Sequence, residues 1–368
     1  MPSAEGLYIH VPFCLNKCNY CAFYSVIPRP EMIEAYLENL KKELLEKKSF
    51  LKPEITIFIG GGNPTAPGSE FLTRLMKILS PVLSEHTISE FSIETNPETF
   101  DKKSAKILKH LPKLRINVGI QRFQNSELKT IGRNTCSEFN KLAFENVFSI
   151  TENAGIDVIL GIPGCKSIKN DLGECLMNYQ FKHISAYFLS IEENTELHKM
   201  HLAGKFPDTD DIDASELFEI SDLLKQNGFK HYEISNFCTT GRECRHNLQY
   251  WHGLDYVGIG PSAVSTINGV RFSNPPDIHE WLLSKNIIQE KIDRNISITE
   301  YIFLRLRLLC EGFSIKDFEK KFGSIPDEIF QAIQSEIAAG NLERNSDSFM
   351  LSKNGLTFAN QVISRIIP

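Results

Sequence analysis

Leu7-Tyr8-Ile9-His10-Val11-Pro12-Phe13-Cys14-Leu15-Asn16-Lys17-Cys18-Asn19-Tyr20-Cys21 is the stretch on which the reading of the chain turns. Its first five residues form a short apolar run stopped by Pro12, the pattern of a buried strand. Three cysteines follow on the loop that leaves that strand. Three thiolates on one short loop suit a metal, and their spacing leaves two choices open. Structural zinc takes four ligands, and His10 can join Cys14, Cys18 and Cys21 as the fourth, although no second ligand pair of zinc-site spacing follows. An iron–sulfur cube held by only three thiolates keeps one iron open to a substrate or cofactor.

The 368-residue chain has room for one large domain of roughly 250–300 residues and a smaller one. A hydrophobic fraction of 42% suits a soluble globular core, and a net charge of -6 argues against a general nucleic-acid binder. The N-terminal residues lack the basic start and long apolar segment of a secretory signal, and no run is long enough to span a bilayer, so the cytoplasm is the expected location. Nine cysteines, three of them clustered, fit metal ligands plus scattered thiols in a reducing compartment. Cys136, Cys165, Cys175, Cys238, Cys244 and Cys310 are therefore read as core or loop residues.

Short apolar runs alternate with amphipathic ones as far as residue 240, the pattern of repeated strand–helix units. Strands are expected at Leu7–Val11, Ile55–Ile59, Glu90–Thr95, Arg115–Ile120, Asp157–Gly161 and His183–Leu189. Helices are expected between them, as at Glu31–Lys48, where Ile33, Leu37, Leu40 and Leu44 recur at helical spacing, and at Glu70–Leu83. These units predict an α/β fold whose parallel sheet curls into a partial (β/α)6 barrel over residues 1–240. Residues 241–297 read as a connector, and 298–368 as a mainly helical, winged-helix-like unit with a hairpin near Asn345. The acidic segment Asp208–Asp213 reads as a solvated loop leading into a helix over Ala214–Gln226. The helix in the recognition position of the C-terminal unit, Glu328–Ala339, contains no Lys or Arg, which favours a cover or docking module over DNA binding.

In a barrel of parallel strands the chemistry lies at the C-terminal strand ends. Gly60-Gly61-Gly62-Asn63 follows the second strand and suits either a tight turn or a close backbone approach to a ligand. Glu94, Gln121 and Asp157 belong to the next three strands, and Arg133 follows the fourth. Asp157 interrupts an apolar strand, where an unpaired carboxylate is costly. Polar residues repeated on successive strands point to one shared site.

The Cys14-x3-Cys18-x2-Cys21 run with aromatic Tyr20 resembles the signature of the radical S-adenosylmethionine (SAM) proteins. Together with the later segments, the chain is similar over nearly its whole length to their coproporphyrinogen III oxidase-like family. That resemblance implies a [4Fe–4S] cluster on the three cysteines, whose unique iron chelates SAM, and SAM contacts from Tyr8, Gly61, Gly62, Asn63, Glu94, Gln121, Arg133 and Asp157. The family usually has Thr at the position of Asn63, and often His where this chain has Val264. Two features separate its haem-chaperone branch from the oxidative decarboxylases. The decarboxylases usually carry a cysteine two residues after the third cluster cysteine, where this chain has Phe23. Arg245-His246-Asn247-Leu248-Gln249-Tyr250-Trp251 resembles the His-Asn-x-x-Tyr-Trp motif of the haem-binding branch. An imidazole can ligate haem iron and the aromatic pair can face a porphyrin, so His246, Tyr250 and Trp251 are the expected haem contacts, with His201 and His252 as alternatives. An isolated histidine of this kind also reads as one hydrogen-bonded in a packed loop.

The implied function is that of a haem chaperone, with haem as cargo. The expected partners are a haem-acceptor protein, a reductant protein such as a flavodoxin or ferredoxin, and transiently the membrane of an acceptor, with no nucleic acid. Oxygen-independent oxidation of coproporphyrinogen III is the alternative activity.

Overall fold

The computed structural model describes residues 2–208, 214–285 and 287–367. All six expected strands are present: β1 (Ala4–Val11), β2 (Leu51–Gly61), β3 (Thr87–Thr95), β4 (Leu114–Gln121), β5 (Ala154–Leu160) and β6 (His183–Phe188). They pair in parallel and in chain order, with helices such as Pro30–Lys47 and Ser69–Glu85 between them. Most of the strands begin earlier than their apolar runs suggest; in β2, for example, Leu51 pairs with Ala4 and Glu54 with Thr87 ahead of the apolar run. Of the acidic segment, all but Asp208 lies outside the described residues, and the helix after it runs Ser215–Gln226.

Alternation along these strands builds the barrel. Leu7, Ile9 and Val11 of β1, Ile55, Ile57 and Ile59 of β2 and Ile116, Val118 and Ile120 of β4 are buried in the large apolar core shared with the surrounding helices. The intervening positions are Tyr8 and His10, Thr56 and Phe58, Glu90, Ser92 and Glu94, Arg115 and Asn117, Asp157, and His183 and Ser185. Successive side chains on a strand point to opposite faces, so this barrel has an oily outside and a polar lumen. A polar lumen demands internal partners or a ligand.

The sheet continues at both edges. Beyond β6 lies the hairpin β7 (Phe229–Glu233) and β8 (Asn236–Thr239); beyond β1 lie parallel β9 (Tyr256–Ile259) and antiparallel β10 (Val264–Ile267), β11 (Val270–Ser273) and β12 (Ile288–Lys291). Residues 241–297, read as a connector, are thus built onto the barrel. Buried Glu43 of the first helix fastens this extension: it accepts from Gly260 N (2.9 Å), Asn274 Nδ2 (2.7 Å) and Trp281 Nε1 (3.0 Å) and pairs with Lys47 (2.7 Å).

The C-terminal unit has its own core around Ile302, Phe313, Phe318, Phe349 and Val362. Its helices Arg294–Arg305, Ile315–Phe322 and Asp327–Ala338, then a hairpin of Leu342–Asn345 with Ser348–Leu351, follow the winged-helix order. It is tied to the barrel by Leu309 N donating to Tyr232 O (3.0 Å), Ile234 N to Arg307 O (3.1 Å), and Arg271 pairing with Glu300. Among the described residues no helix is long and apolar enough to cross a membrane.

Candidate functional site

The cysteine loop sits over the C-terminal end of β1, clamped from beside. Gly62 N donates to Val11 O (2.8 Å) and Asn63 N to Phe13 O (2.7 Å), so the glycine segment ending β2 holds the start of the loop. A Cβ on Gly62 would meet those two carbonyl oxygens at 2.7 Å, which is why glycine stands there. All three cysteines are unbridged and half-buried. Arg133, almost fully buried, donates through Nη1 toward Cys18 Sγ at 3.6 Å and through Nη2 to Gly119 O at 2.6 Å, while its Nε has no acceptor among the described residues. His10 is not free to complete a zinc set. Its Nδ1 hydrogen-bonds the Tyr8 hydroxyl (3.0 Å), its Nε2 faces Tyr24 O (3.3 Å), and burial pulls its pKa down to about 4, keeping it neutral.

Below the loop, Glu94 of β3 and Asp157 of β5 flank β4 and lie near enough for the charge of one to act on the other. Burial, and then the charge of Asp157, push Glu94 up to about 8, against a 3.4 Å hydrogen bond from Gly61 N. Burial likewise raises Asp157, opposed by hydrogen bonds from Ser185 and from Asn117, whose Nδ2 is 2.8 Å away. Gln121 ends β4 at φ 66°, next to a register shift that puts Gly119 opposite Asp157 and Gln121 opposite Val158. A bulge and a left-handed glutamine at a strand end are devices that re-aim a side chain at a site. Asn63 does not join this group. Its Oδ1 accepts from Thr65 N and Oγ1, and its Nδ2 donates to Thr99 Oγ1 (2.8 Å), so the side chain is spent on locking the loop.

The helix Arg245–Trp251 enters the barrel from the opposite end, its N-terminal amides at Arg245 and His246 donating to the Glu90 carboxylate at 3.1 and 3.2 Å. His246, expected at a haem-contact surface, is completely buried, stacked on Phe58 with ring centroids 5.2 Å apart. Its tautomer follows from its neighbours. Gln249 Nε2 donates to Glu5 O, which leaves Gln249 Oε1 to accept the Thr56 hydroxyl proton at 3.1 Å. Thr56 Oγ1 has one proton, so at 2.6 Å it receives the Nδ1–H of His246. The Nε2 lone pair then accepts from the Tyr250 hydroxyl at 2.8 Å. Burial alone lowers this imidazole to about 3. No ring nitrogen of His246 is available in this arrangement.

Tyr250 stands edge-on to Tyr256, ring centroids 4.5 Å apart. On one side both line a cavity of about 320 Å3 with Tyr8, Phe23, Tyr24 and Val264, reaching the cysteine loop. Trp251 points the other way, under the Arg307 guanidinium at 4.7 Å. The expected haem trio is therefore split between lumen, partition and outer wall. His201 lies apart, its Nδ1 at 3.3 Å from Phe206 O.

Residues 8–165 match the profile of the radical SAM superfamily, and 292–358 that of the HemN C-terminal domain. Heme chaperone HemW of Bacillus subtilis is 31% identical, with 99% of each chain covered, and that of Lactococcus lactis is 30% identical, covering 99% of this chain and 97% of its own. The chain belongs to the HemW family. The coproporphyrinogen III oxidase HemN of Escherichia coli shares the fold, with a TM-score of 0.81 over all of this chain and 91% of the other at 17% identity. For the HemW family the radical SAM match implies SAM and a [4Fe–4S] cluster. The residues fit such a group: three unbridged thiols share one loop, a buried guanidinium with an orphaned Nε adjoins one of them, and two carboxylates face the polar lumen beneath. Sequence reasoning missed the lower lumen, where Thr56, Glu90, Asn117 and Ser185 do the bonding. Polar residues at every second position of otherwise apolar strands were the available signal.

Proposed function

We propose that this HemW-family chain is a haem chaperone: it binds haem and hands it to an acceptor protein, with a SAM-chelating [4Fe–4S] cluster held by Cys14, Cys18 and Cys21. The observation that carries this reading is full-length similarity to proteins named heme chaperone HemW. Phe23, 67% exposed beside the cluster loop, supports it, because a thiol at that position goes with the decarboxylases. When bound, the cluster would supply an electron to SAM. This chain's residues position and shield. Arg133 holds positive charge against the Cys18 sulfur; Gly61 and Gly62 offer close backbone; Glu94, with Tyr8, Gln121 and Asp157, presents oxygen and amide groups suited to ribose hydroxyls and a cationic sulfonium. A cation beside the two carboxyl groups would offset the Asp157 repulsion that adds to burial in raising Glu94. Tyr250 and Trp251 offer flat apolar surface to haem. Ligation of iron by His246 requires Tyr250 to leave Nε2 first. A reductant such as a flavodoxin or ferredoxin, and contact with a membrane-borne acceptor, belong to the same reading.

Anaerobic reconstitution with iron and sulfide, followed by ferric haem titration, tests it. The wild type should show both iron–sulfur absorption and a bound Soret band, and Cys18→Ala should lose the first. Protoporphyrinogen formed from coproporphyrinogen III with SAM and reductant, without stable haem binding, would refute the chaperone reading.

A further inference from the structure

On the far side of the Tyr250–Tyr256 partition lies a cavity of about 660 Å3, between the end of the helix Arg245–Trp251, the β9–β11 edge and the helix Arg294–Arg305. That volume falls within the usual range for small-molecule sites, which combine apolar walls with a few polar groups. Its walls include the rings of Trp251, Tyr256, Tyr301 and Phe303. Its charges are unevenly matched. Arg271 is tied to Glu290 and Glu300, but Arg305 reaches Glu311 only at 3.7 Å and its buried Nε has no acceptor among the described residues. Lys321 makes no ion pair among the described residues, and lies over the rings of Tyr301 (5.6 Å) and Phe322 (5.2 Å). Burial, and then the neighbouring Arg305 charge, lower its pKa, and Asp255 and Glu300 in the same walls offset them only in part. Trp251 Nε1 and the Tyr301 hydroxyl, in the same walls, also lack partners among the described residues.

His252 completes the cavity. Its Nε2 is 3.0 Å from Glu311 Oε2, while Nδ1 has no hydrogen-bonding partner among the described residues. An imidazole whose second nitrogen is held by a carboxylate is the arrangement of a metal-ligating histidine. Flat aromatic walls, two incompletely neutralised cations and a carboxylate-backed imidazole complement a planar metallomacrocycle with acidic side arms.

We infer that this cavity holds the haem, with Arg305 and Lys321 receiving its propionates and His252 Nδ1 ligating its iron. The inference rests on the haem-chaperone reading and adds the place. Tyr250 then belongs to the wall between cargo and cluster-side cavity, and His246 keeps that wall upright from inside the barrel.

Titration of the full-length, anaerobically reconstituted protein with ferric haem and with haem dimethyl ester, which lacks free carboxylates, tests this. Lys321→Glu should weaken haem binding at least tenfold and leave the ester's affinity unchanged. His252→Ala should shift the Soret maximum and weaken both ligands. Unaltered iron–sulfur absorption and far-ultraviolet circular dichroism in each variant report an intact fold, and Lys321→Gln gives a milder check should Lys321→Glu fail to fold. If the wild type binds haem and all these variants bind both ligands equally well, haem sits elsewhere and the assignment of this cavity falls while the chaperone reading stands. If the wild type binds no haem, that reading itself falls.

Discussion

The raised pKa of Glu94 makes a quantitative prediction about the stability of the barrel. In the unfolded chain this carboxyl titrates at its ordinary value of 4.5; in the folded chain burial and Asp157 carry it to about 8. Between those values the native state holds a proton that the unfolded state has released. Stability therefore changes by about -1.4 kcal/mol per pH unit from this group, being fully present below 4.5 and lost as pH rises through 8. From pH 5.5 to 7.5 the contribution is a loss of about 3 kcal/mol, an upper figure because the mouth of the lumen is partly solvated. The buried histidines act in the opposite sense: His10, His231 and His246, lowered to about 4, 4 and 3, favour the native state as pH rises through the unfolded value of 6.5. Comparison with Glu94→Gln separates the two. Urea unfolding of cluster-free, reduced protein at both pH values should show the variant gaining on the wild type by 1–3 kcal/mol at the higher pH. Equal pH dependence in the two proteins would mean that Glu94 is solvated and ionised, and the enclosed carboxylate pair would be a misreading of the lumen.

His246→Leu removes the partner of both Thr56 and the Tyr250 hydroxyl inside the barrel; unfolding free energy should fall by about 2–4 kcal/mol, and a neutral result would show that water reaches this position. Glu43→Leu strands the donors of Gly260 and Trp281 and takes one of two acceptors from Asn274 and from Lys47. It should cost about 3–5 kcal/mol in a chemical denaturation series and loosen β9–β11 first, visible as faster amide exchange there. Gln121→Gly should relieve about 1 kcal/mol of left-handed backbone strain while weakening SAM binding by calorimetry; loss of stability instead would mean that the side chain is structural.

Much of the barrel was written in the order of apolar runs, because each β–α unit is a local pattern and parallel strands in chain order need no long-range information beyond it. The shared loop of Cys14, Cys18 and Cys21 and the placing of Glu94 and Gln121 at strand ends were legible for the same reason, since topology sends all strand ends to one rim; Asp157 instead lies in the middle of β5. What the sequence concealed were partnerships across long separations. Asn63 looks like a ligand residue until Thr99, from the next strand–helix loop, is found to take its amide. Residues 241–297 look like a connector because their strands are only four residues long, and only pairing with β1 reveals them as sheet.

His246 shows most clearly how a motif can mislead about direction. The helix Arg245–Trp251 is two turns long, so residues four apart lie above one another on one face, and His246 therefore meets Tyr250 rather than a cargo. Trp251, one residue on, is turned about a hundred degrees around the axis and faces Arg307. A motif of histidine, tyrosine and tryptophan at this spacing cannot present all three side chains to a single flat ligand from one regular helix. Two of them are spent in holding the helix in the barrel, and the third, with His252 beyond the helix end, faces the C-terminal unit. On the haem reading proposed above, contact through Trp251 and His252 takes in a surface that the barrel alone does not possess, supplied by the C-terminal unit, whose helix Asp327–Ala338 carries no basic residue.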